Sequence, residues 1–201
     1  MHTPDAVVGA ILAIPIPQKR RLVAIVGAPG SGKSTLAQTL CEKIPRSCVL
    51  PMDGFHRGND DLKHHGLFER KGAPETFDVA GLTHVLEAAQ LPQGAAFPTF
   101  DRAGDCTVPD GGAIHAHHET VLVEGNYLLY DQPPWNGLAR FWDASIFLDV
   151  SFEVLEARLI QRWRDYGFSP EQALRRAHQN DLVNARAVLD HSRSANFDLT
   201  V

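Results

Sequence analysis

Residues 27–34 read GAPGSGKS, with Thr35 next, and match G-x-x-x-x-G-K-[ST] at every fixed position. Such a loop binds anions. Gly27, Gly30 and Gly32 permit backbone angles that other residues avoid and leave room for a phosphate against the main chain. With Ala28, Pro29 and Ser31 between them, the loop turns its amides inward as an anion nest, and a following helix adds its positive end. Lys33 brings a full charge to the β- and γ-phosphates, and Ser34 offers a hydroxyl to Mg²⁺. Two carboxylates complete the set: Asp53 in MDGFH and Glu124 in LVEGNY, each at the close of an apolar run. One such acid can accept the proton of an attacking hydroxyl while the other orients Mg²⁺ or its waters.

These groups cooperate only if the chain brings them to one edge. Apolar runs alternate with helical patterns along the sequence, which predicts a parallel sheet covered by helices on both faces. RLVAIVG at 21–27 reads as a buried strand, 32–44 as a helix, and CVLPMD at 48–53 as a second strand. VAGLTHVLEAAQL has helical spacing, and AAFPTFDRA reads as a short strand and turn. ETVLVEGNYLL is a strand ending near Glu124, and ASIFLDV at 144–150 is another. A helix over about 152–166 follows, with Ser151 as its cap and Gly167 as its stop. A second runs from Ser169-Pro170-Glu171 to about Asp190. NFDLTV reads as a last strand. Residues 57–76 and 104–118, rich in Gly, His and charge, read as loops. In such a fold ligands sit on loops at the strand ends.

The whole set resembles a known family. GAPGSGKST, MDGFHRGN, RKGAPETFD, FPTFDRA and VLVEGNYLL, in this order, look like the P-loop kinases of the uridine kinase, phosphoribulokinase and bacterial pantothenate kinase superfamily. The short bacterial nucleoside/nucleotide kinase-like and fructose-transport-system kinase proteins are the nearest group. The resemblance covers roughly Arg21 to the C-terminus. It implies a three-layer α/β/α P-loop NTPase fold with a five-stranded parallel sheet and a mobile helical lid. It implies ATP, Mg²⁺ and transfer of the γ-phosphoryl to a hydroxyl of a small molecule, a sugar such as fructose being the first expectation. By the resemblance Asp53 matches the general base and Glu124 the acid near metal and substrate. Lys33 and Ser34 match the phosphate and metal ligands, so Ser34, Asp53 and Glu124 form the metal side. The lid falls at EARLIQRWRDYG, about 155–170, where Arg158, Arg162 and Arg164 lie within two helical turns. Arg162 is first choice for the transferred phosphoryl, because arginine forks suit its equatorial oxygens.

The sequence also departs from the family's pattern. Uridine kinases carry an Asp for the ribose hydroxyls where Gly72 stands here, and Arg102 occupies a segment that in them holds residues for the base. The acceptor set is therefore read as Asp53, Phe55, His56, Lys71, Phe77, Arg102, Glu124 and Asn180, suited to a polyhydroxyl or anionic molecule, with Phe55 and Phe77 as an apolar wall. Pantothenate kinases share the RKGAPETFD segment but are much longer.

Composition bounds the rest. The 201 residues, 44% hydrophobic and 21% charged, suit one domain at 21–201 behind an N-terminal helix and a linker ending in QKRR at 1–20. The net charge of −5 argues against broad nucleic-acid binding. Cys41, Cys48 and Cys106 form no disulfide framework, which points to a reducing cytosol. No apolar run reaches membrane-helix length. The expected partner is a small hydroxyl acceptor, and the expected state a monomer or homodimer. DRAG at 101–104 fits the D-x-x-G of GTPases, but no N-K-x-D guanine signature accompanies it. A third reading, an ATP-binding accessory module with weak hydrolysis, gives no reason for Asp53. The HAHH run (His115, His117, His118) reads as a solvated loop.

Overall fold

The computed structural model describes residues 3–16 and 20–200; the linker positions at 18 and 19 lie outside them. Helix α1 (Pro4–Ala13) is capped by Thr3. Five strands form one parallel sheet: β1 (Arg21–Gly27), β2 (Ser47–Pro51), β5 (Thr120–Gly125), β6 (Ala144–Asp149) and β7 (Phe197–Thr200), in the order β2-β5-β1-β6-β7. Every residue of β1 and β5 is buried, which is why both read as continuous apolar runs. Alternate side chains of β1 feed two cores. Val23 and Ile25 pack under α1 and α2 (Lys33–Lys43). Leu22, Ala24 and Val26 pack against α4 (Val79–Ala89), α5 (Phe152–Asp165) and α7 (Leu182–His191). These are the three α/β/α layers.

The central strand β1 delivers the glycine-rich loop, and β5 lies between it and β2. In the register, Glu124 stands opposite both Ile25 of β1 and Pro51 of β2. The carboxylate on β5 is thus placed beside the loop by strand pairing alone.

Four expectations are corrected. Strand β2 stops at Pro51, and Asp53 sits in a 3₁₀ turn, Met52–Phe55, just beyond it. Two contacts fix that turn: a Cβ on Gly125 would lie 2.5 Å from Met52 Cβ, and one on Gly54 would lie 1.9 Å from the carbonyl oxygen of Pro98. Residues 57–76 are no plain loop; they hold a short helix, α3 (Asn59–His64), and two 3₁₀ turns. Most of 104–118 is strand β4 (Cys106–Ile114), antiparallel to β3 (Ala95–Asp101) in a separate two-stranded hairpin. Within it, Gly111 and Gly112 lie under Thr99 and Phe97, where an added Cβ would come 2.0 and 2.3 Å from their side chains. Pro98 falls at the register shift of the hairpin, where a missing N–H breaks no ladder.

Finally, the helix expected over 169–190 is interrupted. Helix α6 (Pro170–Arg176) begins with the reciprocal capping box of Ser169 and Gln172, then passes through a π turn, Ala177–Asp181, before α7. The wider turn re-aims the side chains that follow it.

Candidate active site

The glycine-rich loop has the geometry of an anion cradle. Gly30 and Gly32 take φ of 82° and 95°, the left-handed region that favours glycine, and Gly32 caps α2 without any side-chain bond. The first-turn amides of α2 are therefore left to a ligand. Gly27 admits Ser31 so closely that a Cβ there would lie 2.5 Å from Ser31 Oγ. Among the described residues Ser31 Oγ is buried without a hydrogen-bond partner, leaving it able to meet an incoming polar group. Leu159 of α5 closes on Gly30 from above.

Beside the loop, Ser34 Oγ donates to Glu124 Oε1 at 3.2 Å. Glu124 is 6% exposed. Burial pushes its carboxyl above the usual carboxylate range; Lys33 pulls it down, Asp53 adds to the upward push, and the Ser34 hydrogen bond lowers it. A buried acid held next to a hydroxyl and a lysine, in a cradle built for phosphate, is an arrangement that gains when a divalent cation enters. Among the described residues no group of three or more His, Cys, Asp or Glu forms a metal cage. Mg²⁺ keeps several waters and arrives with phosphates, on one or two protein carboxylates. The donor set Ser34, Glu124 and Asp53 fits that mode of binding.

Asp53 faces the hairpin. Arg102, in the four-residue loop between β3 and β4, donates from Nη2 to Asp53 Oδ2 at 2.8 Å. The same loop carries Asp105, which takes Lys71 Nζ at 2.7 Å and accepts from Asn59 Nδ2 at 3.1 Å. Lys71 also reaches Asn59 Oδ1 at 2.6 Å, and its Nζ lies 4.9 Å from the Phe100 ring centroid. His56 Nδ1 donates to the Asp53 carbonyl oxygen at 2.8 Å, and its ring lies between Phe77 (4.1 Å) and Phe100 (4.7 Å). Burial holds the His56 pKa below its ordinary 6.5, although Asp53 opposes this, so the ring is neutral at pH 7.

The structure brings Asp53, His56, Lys71, Arg102 and Glu124 to one edge. Phe55 and Phe77 are different. Both are buried in the core, so the apolar wall expected of Phe55 is a packing contact in this structure. Phe77 lies edge-on to Tyr127 and Trp135 and is among the residues lining an open cavity of about 710 Å³, with His56, Arg57 and Asp61. Four residues escaped the sequence reading. Asn59 and Asp105 bind Lys71, while Tyr127 and Trp135 pin the 70–76 segment through hydrogen bonds to Gly72 O (2.7 Å) and Pro74 O (3.2 Å). Asn59, at the end of MDGFHRGN, and Tyr127, three residues after Glu124 in the EGNY run, lay in stretches already singled out.

The three arginines of α5 separate. Arg158 Nη1 donates to the carbonyls of Gly30 and Ser31 at 3.3 and 3.4 Å, directly on the phosphate loop. Arg162 pairs with Asp181 at 3.0 Å. Arg164 is exposed. Asn180 gives its amide to Lys71 O at 2.7 Å, so its side chain is spent on the backbone of the 70–72 segment. Arg57 pairs with Asp61, Arg70 pairs with Glu75 and donates to Asn180 Oδ1 at 3.4 Å, and the His115–His118 rings lie against one another.

No family model matches the chain. It is 40% identical to the uncharacterised protein YggC of Escherichia coli over 98% of this chain and 84% of that one. It is 32% identical to a provisionally named uridine kinase of Schizosaccharomyces pombe over 83% of this chain and 77% of that one. A crystal structure from Silicibacter sp. TM1040, provisionally named a fructose transport system kinase, superposes with a TM-score of 0.94 at 41% identity, covering 99% and 100% of the two chains.

Proposed function

The chain belongs to the P-loop kinases of the uridine kinase, phosphoribulokinase and bacterial pantothenate kinase superfamily, and from that premise we propose that it transfers the γ-phosphoryl of ATP to a hydroxyl of a small polyhydroxyl metabolite. A fructose-type sugar is the first candidate, on the strength of the 41% identity to the Silicibacter protein. The observation that carries the reading is the Ser34–Glu124 hydrogen bond at the mouth of the phosphate loop, with Asp53 at the same edge. A binding module has no use for a buried Glu124 with a second, half-buried carboxylate at the same edge.

In this reading the amides of residues 27–34 and Lys33 hold the phosphates, with Thr35 in the first turn behind them. Ser34, Glu124 and Asp53 hold Mg²⁺ or its waters; when bound, the ion neutralises charge on the phosphoryl oxygens. Arg102 engages one oxygen of Asp53, and the other accepts the proton of the acceptor hydroxyl. The acceptor's hydroxyl oxygen, its proton now on Asp53, bonds to the γ-phosphorus as the bridging bond to ADP breaks. Arg158, Arg162 and Arg164 belong to a lid over about 155–170, and Arg162 meets the transferred phosphoryl. Asp53, His56, Lys71 and Arg102 line the acceptor side.

The test is ADP release screened over sugars, nucleosides, pantothenate and related vitamins. Acceptor-stimulated release that drops by about 10²- to 10⁴-fold in Asp53→Asn, with ATP binding retained, supports the reading. Basal release that no candidate stimulates would favour an accessory ATP-binding module.

A further inference from the structure

The π turn Ala177–Asp181 joins the two sides of the site through adjacent residues. Asp181 faces α5: its Oδ1 takes Arg162 Nη2 at 3.0 Å and its Oδ2 takes Trp163 Nε1 at 2.6 Å. Both carboxylate oxygens are thus committed to consecutive residues of one helix. Asn180 faces the opposite element: its Nδ2 donates to Lys71 O at 2.7 Å, and its Oδ1 accepts from Arg70 Nη1 at 3.4 Å. Asn184, 2% exposed, backs Asn180 by donating to the same Oδ1 at 3.3 Å. Neighbouring residues on a regular helix point roughly 100° apart, and the extra residue of a π turn opens that angle's register without breaking the helix. On the acceptor side the grip ends at residues 70–72. Lys71, in turn, holds Asp105 of the hairpin loop that also carries Arg102 to Asp53.

We propose that Asn180 and Asp181 are positioning residues that couple the acceptor loop to the phosphate-side arginine. Asp181 sets where Arg162 stands, Asn180 sets where the 70–72 backbone stands, and their rigid shared turn makes one position depend on the other. This rests on the reading of residues 27–34 and Arg162 as the nucleotide side. Its consequence is that a nucleotide on that side orders the acceptor loop before any acceptor binds.

The experiment needs no acceptor. Amide hydrogen exchange is followed over residues 68–76, with and without Mg²⁺ and β,γ-imido-ATP, in the wild-type chain, Asp181→Asn and Asn180→Ala. Asp181→Asn is isosteric and keeps an acceptor for Trp163, and Asn180→Ala touches a half-exposed site, so two independent variants guard against misfolding. The expected result is severalfold slower exchange at 68–76 on adding the analogue to wild type, and loss of that effect in both variants. Asp181→Glu, which keeps the charge, restores part of it. Equal protection in wild type and both variants overturns the coupling, as does analogue binding to wild type with no protection at 68–76. Failure of the analogue to bind wild type at all would instead overturn the kinase reading.

Discussion

Arg102 holds Asp53 by a 2.8 Å ion pair across 49 residues of sequence, and it does so from the tip of a hairpin that belongs to no part of the main sheet. The side chain of Arg102 is 59% exposed. An exposed pair contributes little to stability, about 0–1 kcal/mol, so its value lies in aim. It fixes the direction of one carboxylate oxygen and brings the hairpin over the acceptor side. Arg102→Ala should leave thermal stability within about 1 kcal/mol of wild type. It should raise the acceptor KM while leaving the ATP KM unchanged, as steady-state kinetics with the acceptor from the screen would show. An unchanged acceptor KM would remove Arg102 from the acceptor set.

Glu124 gives a pH prediction with a definite sign. Its folded pKa lies above the ordinary carboxylate value because it is buried. Stability from its protonated form is therefore complete below the unfolded pKa and is lost as pH rises through the raised folded value. Glu124→Gln has no such loss. In the absence of nucleotide the variant should match wild type in acid and exceed it at neutral pH. A difference on the order of 1 kcal/mol would appear as about 2–4 °C in Tm for a chain of this length. Phosphoryl transfer should fall at the same time. Thermal scans from acid to neutral pH decide it; a variant less stable than wild type at pH 7 would contradict the cost assigned to burial.

His56 has the opposite sign for a cation. Its folded pKa is held below 6.5, chiefly by burial between two phenylalanines. The stability this represents is present above the unfolded pKa and drains as pH falls through the lowered value. Following its ring Cε1–H signal by NMR should show a midpoint under 6.5.

Gly54 should tolerate no side chain. An alanine Cβ would meet the Pro98 carbonyl at 1.9 Å, a backbone atom that cannot step aside. Gly54→Ala is expected to cost about 1–3 kcal/mol and to shift the hairpin off Asp53. Urea unfolding measures the first, and loss of turnover beyond the stability loss reports the second.

Arg158 and Arg162 should differ in kinetics. Arg158 touches the carbonyls of the phosphate loop, so Arg158→Ala should act mainly on the ATP KM. Arg162 is held by Asp181 away from those carbonyls, and Arg162→Ala should act mainly on kcat. The same pattern for both would merge their roles.

The sequence alone determined what depends on neighbours in the chain. The phosphate loop is local, because glycine torsions and a helix N-terminus need no distant partner. So are the Ser169 capping box and the apolar runs that became β1, β5 and β6. Even the shared edge of Asp53 and Glu124 followed from the alternating strand and helix pattern. Tertiary structure decided what depends on remote packing. The DGG of β4 is strand because β3 pairs with it, setting Thr99 and Phe97 over its glycines. The pairing of Arg102 with Asp53, of Asp105 with Lys71 and of Asp181 with Arg162 joins residues whose spacing carries no period. A charge in a sequence names its sign but not its partner; the fold chooses that by which loops it stacks together, and here that choice shapes the acceptor side.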